Sequence, residues 1–435
     1  MLDRAIQPTV HNLEYLSLPT PRRLTLDNGI HMTVLDSGTQ ELNRLSVFTD
    51  GGIIEATSAD IARLAAATML EGAQGMSGAE IADNLDYNGA WCKTSTNIHH
   101  RGVVVYSLNS RFDDVLSTTT RVIATPAFPD HEIAVIADKH AAQLSVAREK
   151  VTYWATLGLN RLTKGPTHPL AVESTPEQVK ALTRDELSGW YNLTLNPGSM
   201  HVYLSGHITR AMEDAVNNTI GRMTAAGPGV APDYMPFSPS PDHTPLVIDR
   251  PGALQSAVAV GIPSIPRSHP DYIPLRLAVI ALGGYFGSRL MLNIREEKGL
   301  TYGIGASLAG GRSGSTVEIA TECDNRYVTD VIREIRHEID RLTDPATFTN
   351  DEIDRLRRHV MSTLASMLDS PFTMMDCFEN ILLSSTPDDY FDRQQLFAAQ
   401  MSPEMIATMA RRYLAGGDIY TVVAGDSRLL GDIAD

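Results

Sequence analysis

Short apolar runs alternate along the chain with longer stretches whose apolar residues recur every three or four positions. Leu45-Ser-Val-Phe-Thr predicts a strand, and the Ala- and Leu-rich stretch from Asp60 to Leu70 predicts a helix. A second short helix, in Ala-Asp-Asn-Leu-Asp-Tyr-Asn-Gly-Ala-Trp, ends at Gly89. Gly102-Val-Val-Val-Tyr-Ser-Leu then predicts a strand, and residues 113–123 an amphipathic helix. The capping box Thr183-x-x-Glu186 opens another helix. A strand from His201 to Gly206 closes this half.

The same order recurs past the midpoint. Ser256-Ala-Val-Ala-Val-Gly predicts a strand and Tyr272 to Leu282 a helix. Leu-Asn-Ile-Arg-Glu-Glu-Lys-Gly-Leu-Thr-Tyr sets Gly299 against Gly89. Thr316-Val-Glu-Ile-Ala-Thr is strand-like and 328–341 helical. Ser402 caps a helix with Pro403 at its first position, and Tyr420 to Gly425 forms the closing strand. Many layered proteins share parts of such a pattern. Here order, spacing and closing motif agree together, so we read a duplication of layered α/β or α+β units. Strand pairing does not follow from the pattern. Between the halves, residues 226–245 hold Pro228, Pro232, Pro236, Pro239, Pro241 and Pro245, which predicts an extended linker. The expected units are therefore 20–225 and 246–435.

Composition narrows the function. The 435 residues are 43% hydrophobic, enough for sizeable cores. With 36 basic and 52 acidic residues the net charge is −16, which argues against nucleic acid and against anionic membranes as partners. Cys92, Cys323 and Cys377 form no Cys-x-x-Cys pair, so neither a disulfide framework nor a zinc knuckle is legible. The N-terminal stretch lacks a basic start leading into an apolar run, and no window holds eighteen uninterrupted apolar residues. A cytoplasmic protein is the expectation.

Several motifs carry a resemblance that spans nearly the whole chain. Leu26-Asp-Asn-Gly29 and Pro126-Ala-Phe128 with Glu132 come first. The most specific are Leu282-Gly-Gly-Tyr-Phe-Gly-Ser-Arg-Leu290 and Ile294-Arg-Glu-Glu-Lys-Gly-Leu-Thr-Tyr302. Together they resemble the M16 metallopeptidases, the pitrilysin, insulinase and mitochondrial processing peptidase family. The resemblance implies an α+β fold: two duplicated domains of the LuxS/MPP-like type, each a mostly antiparallel sheet flanked by helices, joined by the Pro-rich linker. It also implies a chamber for extended peptides.

The family's zinc signature is His-x-x-Glu-His on a helix, plus a distant Glu. Two imidazoles at i and i+4 share one helix face and can hold one Zn²⁺, while the Glu reaches the metal-bound water. Anchored on Met69-Leu70 and on Ser77-x-x-Glu80, the matching positions are Leu64, Ala67 and Thr68. None supplies an imidazole or a carboxylate. No histidine lies between His31 and His99, so no shift of alignment restores the pair. The distant Glu falls within 142–145, which reads Ala-Gln-Leu-Ser, with Glu149 nearby. No metal, no other cofactor and no catalytic residue is expected in this chain.

In M16 pairs of unlike subunits, the chain without the zinc motif contributes an Arg and a Tyr, here Arg295 and Tyr302. The resemblance implies that they orient a peptide carbonyl through the fixed donors of Arg and the Tyr hydroxyl. The plainer reading makes Arg295 part of a solvated helix end and Tyr302 a core aromatic. The leading expectation is a non-catalytic subunit. It would bind peptide and pair with a zinc-bearing M16 chain as a heterodimer, or with itself as a homodimer. The alternative is an inert binding or scaffold protein of M16 fold. A hydrolase with a different site is the third.

Other candidates read as structure. His99-His100-Arg101 reads as a surface strand, since strand neighbours point to opposite faces. The charged run 351–359 reads as a solvated helix face. Gly283-Gly284 and Gly303-Ile-Gly305 complete no phosphate loop and read as turns or close approaches. The methionines from Met361 to Met375 read as core packing. No cysteine sits in a nucleophile motif.

Overall fold

A computed structural model describes residues 13, 15–225, 227 and 235–431. Residues 226 and 228–234 of the proline segment, with Pro228 and Pro232, lie outside the described residues.

The first half holds strands β1 (Arg22–Thr25), β2 (His31–Asp36), β3 (Leu42–Asp50), β4 (Gly72–Ala73), β5 (Met76–Ser77), β6 (Trp91–Thr96), β7 (His100–Leu108) and β8 (Met200–Gly206). The second holds β9 (Leu246–Asp249), β10 (Gln255–Ser264), β11 (Thr301–Gly310), β12 (Ser315–Asp324) and β13 (Tyr420–Gly425). The first sheet runs β1-β2-β8-β3-β7-β6 and the second β9-β13-β10-β12-β11. In each sheet one neighbouring pair is parallel, β2 with β8 and β9 with β13. The other pairings are antiparallel. Leaving out β1, the two sheets match strand for strand, so the expected duplication and the mostly antiparallel α+β architecture are both present.

The local signals explain the elements. Helices α1 (Ala59–Thr68) and α2 (Gly78–Tyr87) are N-capped by Ser58 and Ser77, the latter in a capping box with Glu80. Then come α3 (Phe112–Ala124), α4 (Asp130–Glu149), α5 (Val151–Lys164), α6 (Pro176–Lys180), α7 (Arg184–Thr194) and α8 (Arg210–Thr219). Thr183 and Glu186 form the expected capping box on α7. The second half adds α9 (Tyr272–Val279), α10 (Val328–Leu342), α11 (Asn350–Ser366), α12 (Pro371–Leu383), α13 (Tyr390–Ala399) and α14 (Pro403–Ala410). Gly89 and Gly299 both adopt φ +62, the left-handed cap that turns a helix toward a strand.

Side-chain alternation shows why the strands read as near-continuous apolar runs. Leu45 and Val47 of β3 face the first half's own helices, as do Val202 and Leu204 of β8. On the opposite face Phe48, Leu35 and Tyr203 pack against Met374, Met375 and Phe378 of α12, a helix of the second half. Val258, Val260 and Ile262 of β10 face the second half's helices. Ala257 and Ala259 instead meet Ala155 and Leu159 of α5, from the first half. The halves therefore exchange helices, each sheet covered on one face by a helix of the other half. The approach is close, since a Cβ on Gly158 of α5 would lie 3.0 Å from both Ile248 Cδ1 and Val422 Cγ1.

Polar groups fix the exchange. Arg44, on the α12-facing side of β3, donates to Phe372 O at 2.9 Å, Asp376 Oδ1 at 2.5 Å and Glu379 Oε2 at 2.8 Å. Lys164 at the end of α5 lies 3.2 Å from Glu318 of β12. The described part of the proline segment lies along α5. Ser238 N donates to Lys164 O and Ser240 N to Leu162 O, satisfying carbonyls at the helix end. Methionine packing also follows expectation, with Met375 fully buried and Met361 and Met367 against the second core. On α11, Arg355 pairs with Asp351 and Arg357 with Asp354, the expected solvated face.

Arg44→Met should cost about 3–5 kcal/mol, because it leaves Glu379 buried without its cation, and Arg44→Met with Glu379→Met should recover most of that loss. Urea unfolding checks both; a single variant with the wild-type midpoint shows that this pair does not hold α12.

Candidate functional site

The helix that matches the zinc signature is α1. Leu64 and Thr68 sit four residues apart on one face, both buried. Ala67 is exposed. Thr68 Oγ1 donates to Leu64 O at 2.8 Å, so its hydroxyl is spent on the helix backbone. The two-ligand geometry survives as backbone, but an alkyl group and a self-bonded hydroxyl occupy it. Among the described residues, no cluster of three His, Cys, Asp or Glu has metal-holding geometry. The donor set at this helix does not fit Zn²⁺. Gln143 and Leu144 on α4 line a cavity of about 570 Å³ beside α1, and Glu149 is exposed at the last turn of α4.

One turn before Leu64, sequence reasoning missed a polar cluster. Asp60 is buried, accepts from Ser174 Oγ, and lies 3.5 Å from His140 Nε2 and 3.3 Å from Arg63 Nη1. Burial pushes its carboxyl up, but His140, Ser174 and Arg63 outweigh that and hold it below its ordinary 3.8. Ser174 and His140 both meet Asp60 rather than each other, so the three are not arranged as a nucleophile and base. The only sequence signal was an Asp in the first turn of α1, which normal helix-end electrostatics already explains.

The structure brings Arg295 and Tyr302 together. Arg295 lies in a widened π-type turn, Met291–Glu297, and Tyr302 begins β11. The Gly299 cap between them carries Gly299 N to Arg295 O and Leu300 N to Ile294 O. The guanidinium carbon sits 5.5 Å from the Tyr302 ring centre and 5.0 Å from that of Phe286. Phe286 was absent from the expected site, although it lies inside the Gly-rich stretch that was singled out. Tyr302 is 91% exposed, against the plainer reading of a core aromatic. Arg295 keeps one carboxylate contact, Nε to Glu296 at 3.4 Å. The neighbouring Arg289 serves the scaffold, pairing with Glu352 and covering the Phe348 ring at 3.9 Å. Gly283 marks a close approach, since a Cβ there would meet Ala306 N at 2.6 Å.

One expectation is corrected. His99-His100-Arg101 is not a surface strand. His100 and Arg101 are 2% and 3% exposed, the first beside Arg312 of the second half and the second beneath α7 of its own half. His100 Nε2 lies 3.0 Å from Asp50 Oδ1, which Arg312 of the second half also approaches at 3.2 Å. Arg101 stacks on Tyr191 at 3.8 Å and donates to Thr194 Oγ1. The partners that bury these residues are distant in sequence.

Residues 181–360 match the family model described as the peptidase M16 inactive domain. Over that stretch the chain is similar to M16 proteins. It shares 23% identity over 250 residues with an uncharacterized zinc protease of Streptomyces coelicolor, covering 56% of this chain and 54% of that protein. With the non-peptidase homolog YmxG of Helicobacter pylori it shares 22% over 263 residues, 58% of this chain and 59% of the other. The chain thus spans about half the length of the curated relatives it matches. The M16 fold extends further. A crystal structure of a peptidase M16 inactive domain from Pseudomonas fluorescens superposes with TM-score 0.85 at 20% identity, over 94% of this chain and 99% of that one. A chain of complex III2 from Candida albicans superposes with TM-score 0.74 at 14% identity, over 95% and 97%. The M16-type reading therefore joins an inactive-type domain to a first half whose α1 carries no zinc ligands.

Because Asp60 titrates below its ordinary value, its contribution is present above pH 3.8 and lost as pH falls through the lower folded value. Asp60→Asn should lower stability at pH 7 by about 1–3 kcal/mol, and the gap to wild type should close in acid below pH 3.8. Urea midpoints at pH 7 and pH 3 read this; a gap that persists in acid removes the carboxylate from the explanation.

Proposed function

We propose that this chain is a non-catalytic subunit of an M16-type zinc peptidase, which binds peptide and completes the active site of a partner chain carrying His-x-x-Glu-His. The observation that carries this reading is the contrast between two matched sites. Leu64 and Thr68 are sealed into the core, while Arg295 and Tyr302 converge at 5.5 Å with the ring in solvent. Phe286 and Tyr302, both exposed, flank one cation and together make a small aromatic surface on which a ligand can land. A fixed guanidinium fork and a phenolic hydroxyl together suit a peptide carbonyl. The zinc would belong to the partner, so the chain alone would neither hold it tightly nor cut peptides. A homodimer is the arrangement if no zinc-bearing partner exists. No helix among the described residues is long and apolar enough to cross a membrane. We place the pair in the cytoplasm.

A second reading, an inert scaffold of M16 fold, draws on the name of the Helicobacter relative, a non-peptidase homolog. In that reading Arg295 and Tyr302 serve only packing.

Affinity purification from the native cell, with metal analysis, should bring down a second M16 chain that holds zinc. In the reconstituted pair, Arg295→Ala or Tyr302→Phe should lower kcat/KM roughly tenfold to a thousandfold, as removal of a single charge-stabilising donor does. Full activity after both changes, in a pair that still assembles, excludes the assigned role and leaves the scaffold.

A further inference from the structure

A cavity of about 610 Å³ lies between the halves, at the opposite end of β11 from Tyr302, and none of Leu64, Ala67, Thr68, Arg295 and Tyr302 lines it. It lies where duplicated parts meet. The β6–β7 turn with His99 faces the β11–β12 turn, residues 311–314, and the ends of α5 and α12 close the sides. Its size suits a small organic ligand.

The polar groups of the lining are unbalanced. Arg267 donates Nη1 to Ser384 Oγ at 3.1 Å and lies 5.2 Å over the Tyr390 ring, but among the described residues no carboxylate pairs with it. Its Nε is buried without a hydrogen-bond partner, as is Ser313 Oγ. His168 Nδ1 accepts from Leu170 N at 3.2 Å, which puts the ring proton on Nε2 and leaves a further donor. The lining carboxylate, Glu318, is already paired with Lys164. Burial pushes His168 down to about 4, with Lys164 adding to it, and burial likewise pushes His99 to about 4. Both rings are therefore neutral near pH 7 and bring no competing anion or cation. Phe237 and Leu383 supply apolar wall. In a chain of net charge −16, an arginine with no carboxylate partner among the described residues, beside the His168 donor, marks a place for an acceptor from outside.

We propose that this cavity binds the carboxylate of a small acid with an apolar body, its oxygens on the Arg267 guanidinium and its body against Phe237. The same chemistry is offered by a free acid and by the C-terminal residue of a peptide.

The test uses the full chain and calorimetry with N-acetyl-phenylalanine, its amide, and a pentapeptide ending in phenylalanine with a free or an amidated terminus. Saturable binding of the free acid and none of its amide is expected. Binding of the free-terminus pentapeptide as well assigns the site to peptide ends; its failure assigns the site to free acids. Arg267→Met should weaken binding at least tenfold. Gly311→Leu leaves Arg267 intact but fills the cavity beside His99, since a Cβ at Gly311 already lies 3.6 Å from His99 Nε2, and should abolish binding. Circular dichroism confirms that each variant is folded. Equal binding of acid and amide, undiminished binding by folded Arg267→Met or Gly311→Leu, or no saturable binding of the acid or the free-terminus peptide to wild type overturns the proposal.

Discussion

The exchange of α5 and α12 between the halves is the contact on which the architecture rests. Each sheet has two apolar faces, one covered by helices of its own half and the other by a helix of the opposite half. Ala257, Ala259 and Gly261 of β10 leave room for α5 to lie directly on the strands, with Leu159 Cδ1 2.7 Å from where a Gly261 Cβ would be. On the other sheet larger groups, Phe48 and Tyr203, meet the methionines of α12, whose unbranched chains fill an irregular gap. The two contacts are equivalent by duplication but solved with different side chains. Arg44 adds direction to the second, because a charge taken out of water must find its partners at one register only.

That rigid frame makes the contrast between the two matched sites informative. The face of α1 that would present ligands is instead packed as core, with Leu64 fully enclosed. The turn holding Arg295 is kept by the Gly299 cap and by Lys298 bonded to Glu334. Phe286 and Tyr302 flank the guanidinium and limit where it can swing. One half has filled in its surface, and the other has kept a cation held between rings.

Much of this was legible in the chain itself. The strand and helix order, the paired closing motifs and the match of Gly89 with Gly299 follow from periodicity and capping, which are local. The lack of zinc ligands on α1 follows from residue identity alone. What could not be read is which face of a strand meets which helix, because Ala257 and Val258 look alike until α5 arrives from a hundred residues away. His100 was misplaced for the same reason, since Arg312 buries it from the far half. Asp60 with Ser174 and His140 is a contact across 114 residues, with no spacing to betray it. The cavity around Arg267 assembles from six separate stretches of chain, and only a missing partner reveals it.

The crossed helices also bear on how the chain is made. As it leaves the ribosome from the N-terminus, β8 completes the first sheet long before α12 has been synthesised. Leu35, Phe48 and Tyr203 then face water, and α5 has no strands to rest on. The nascent first half is thus a sticky intermediate with one bare side. Its protection during translation falls to chaperones or to speed, and only the last third of the polypeptide ends that exposure.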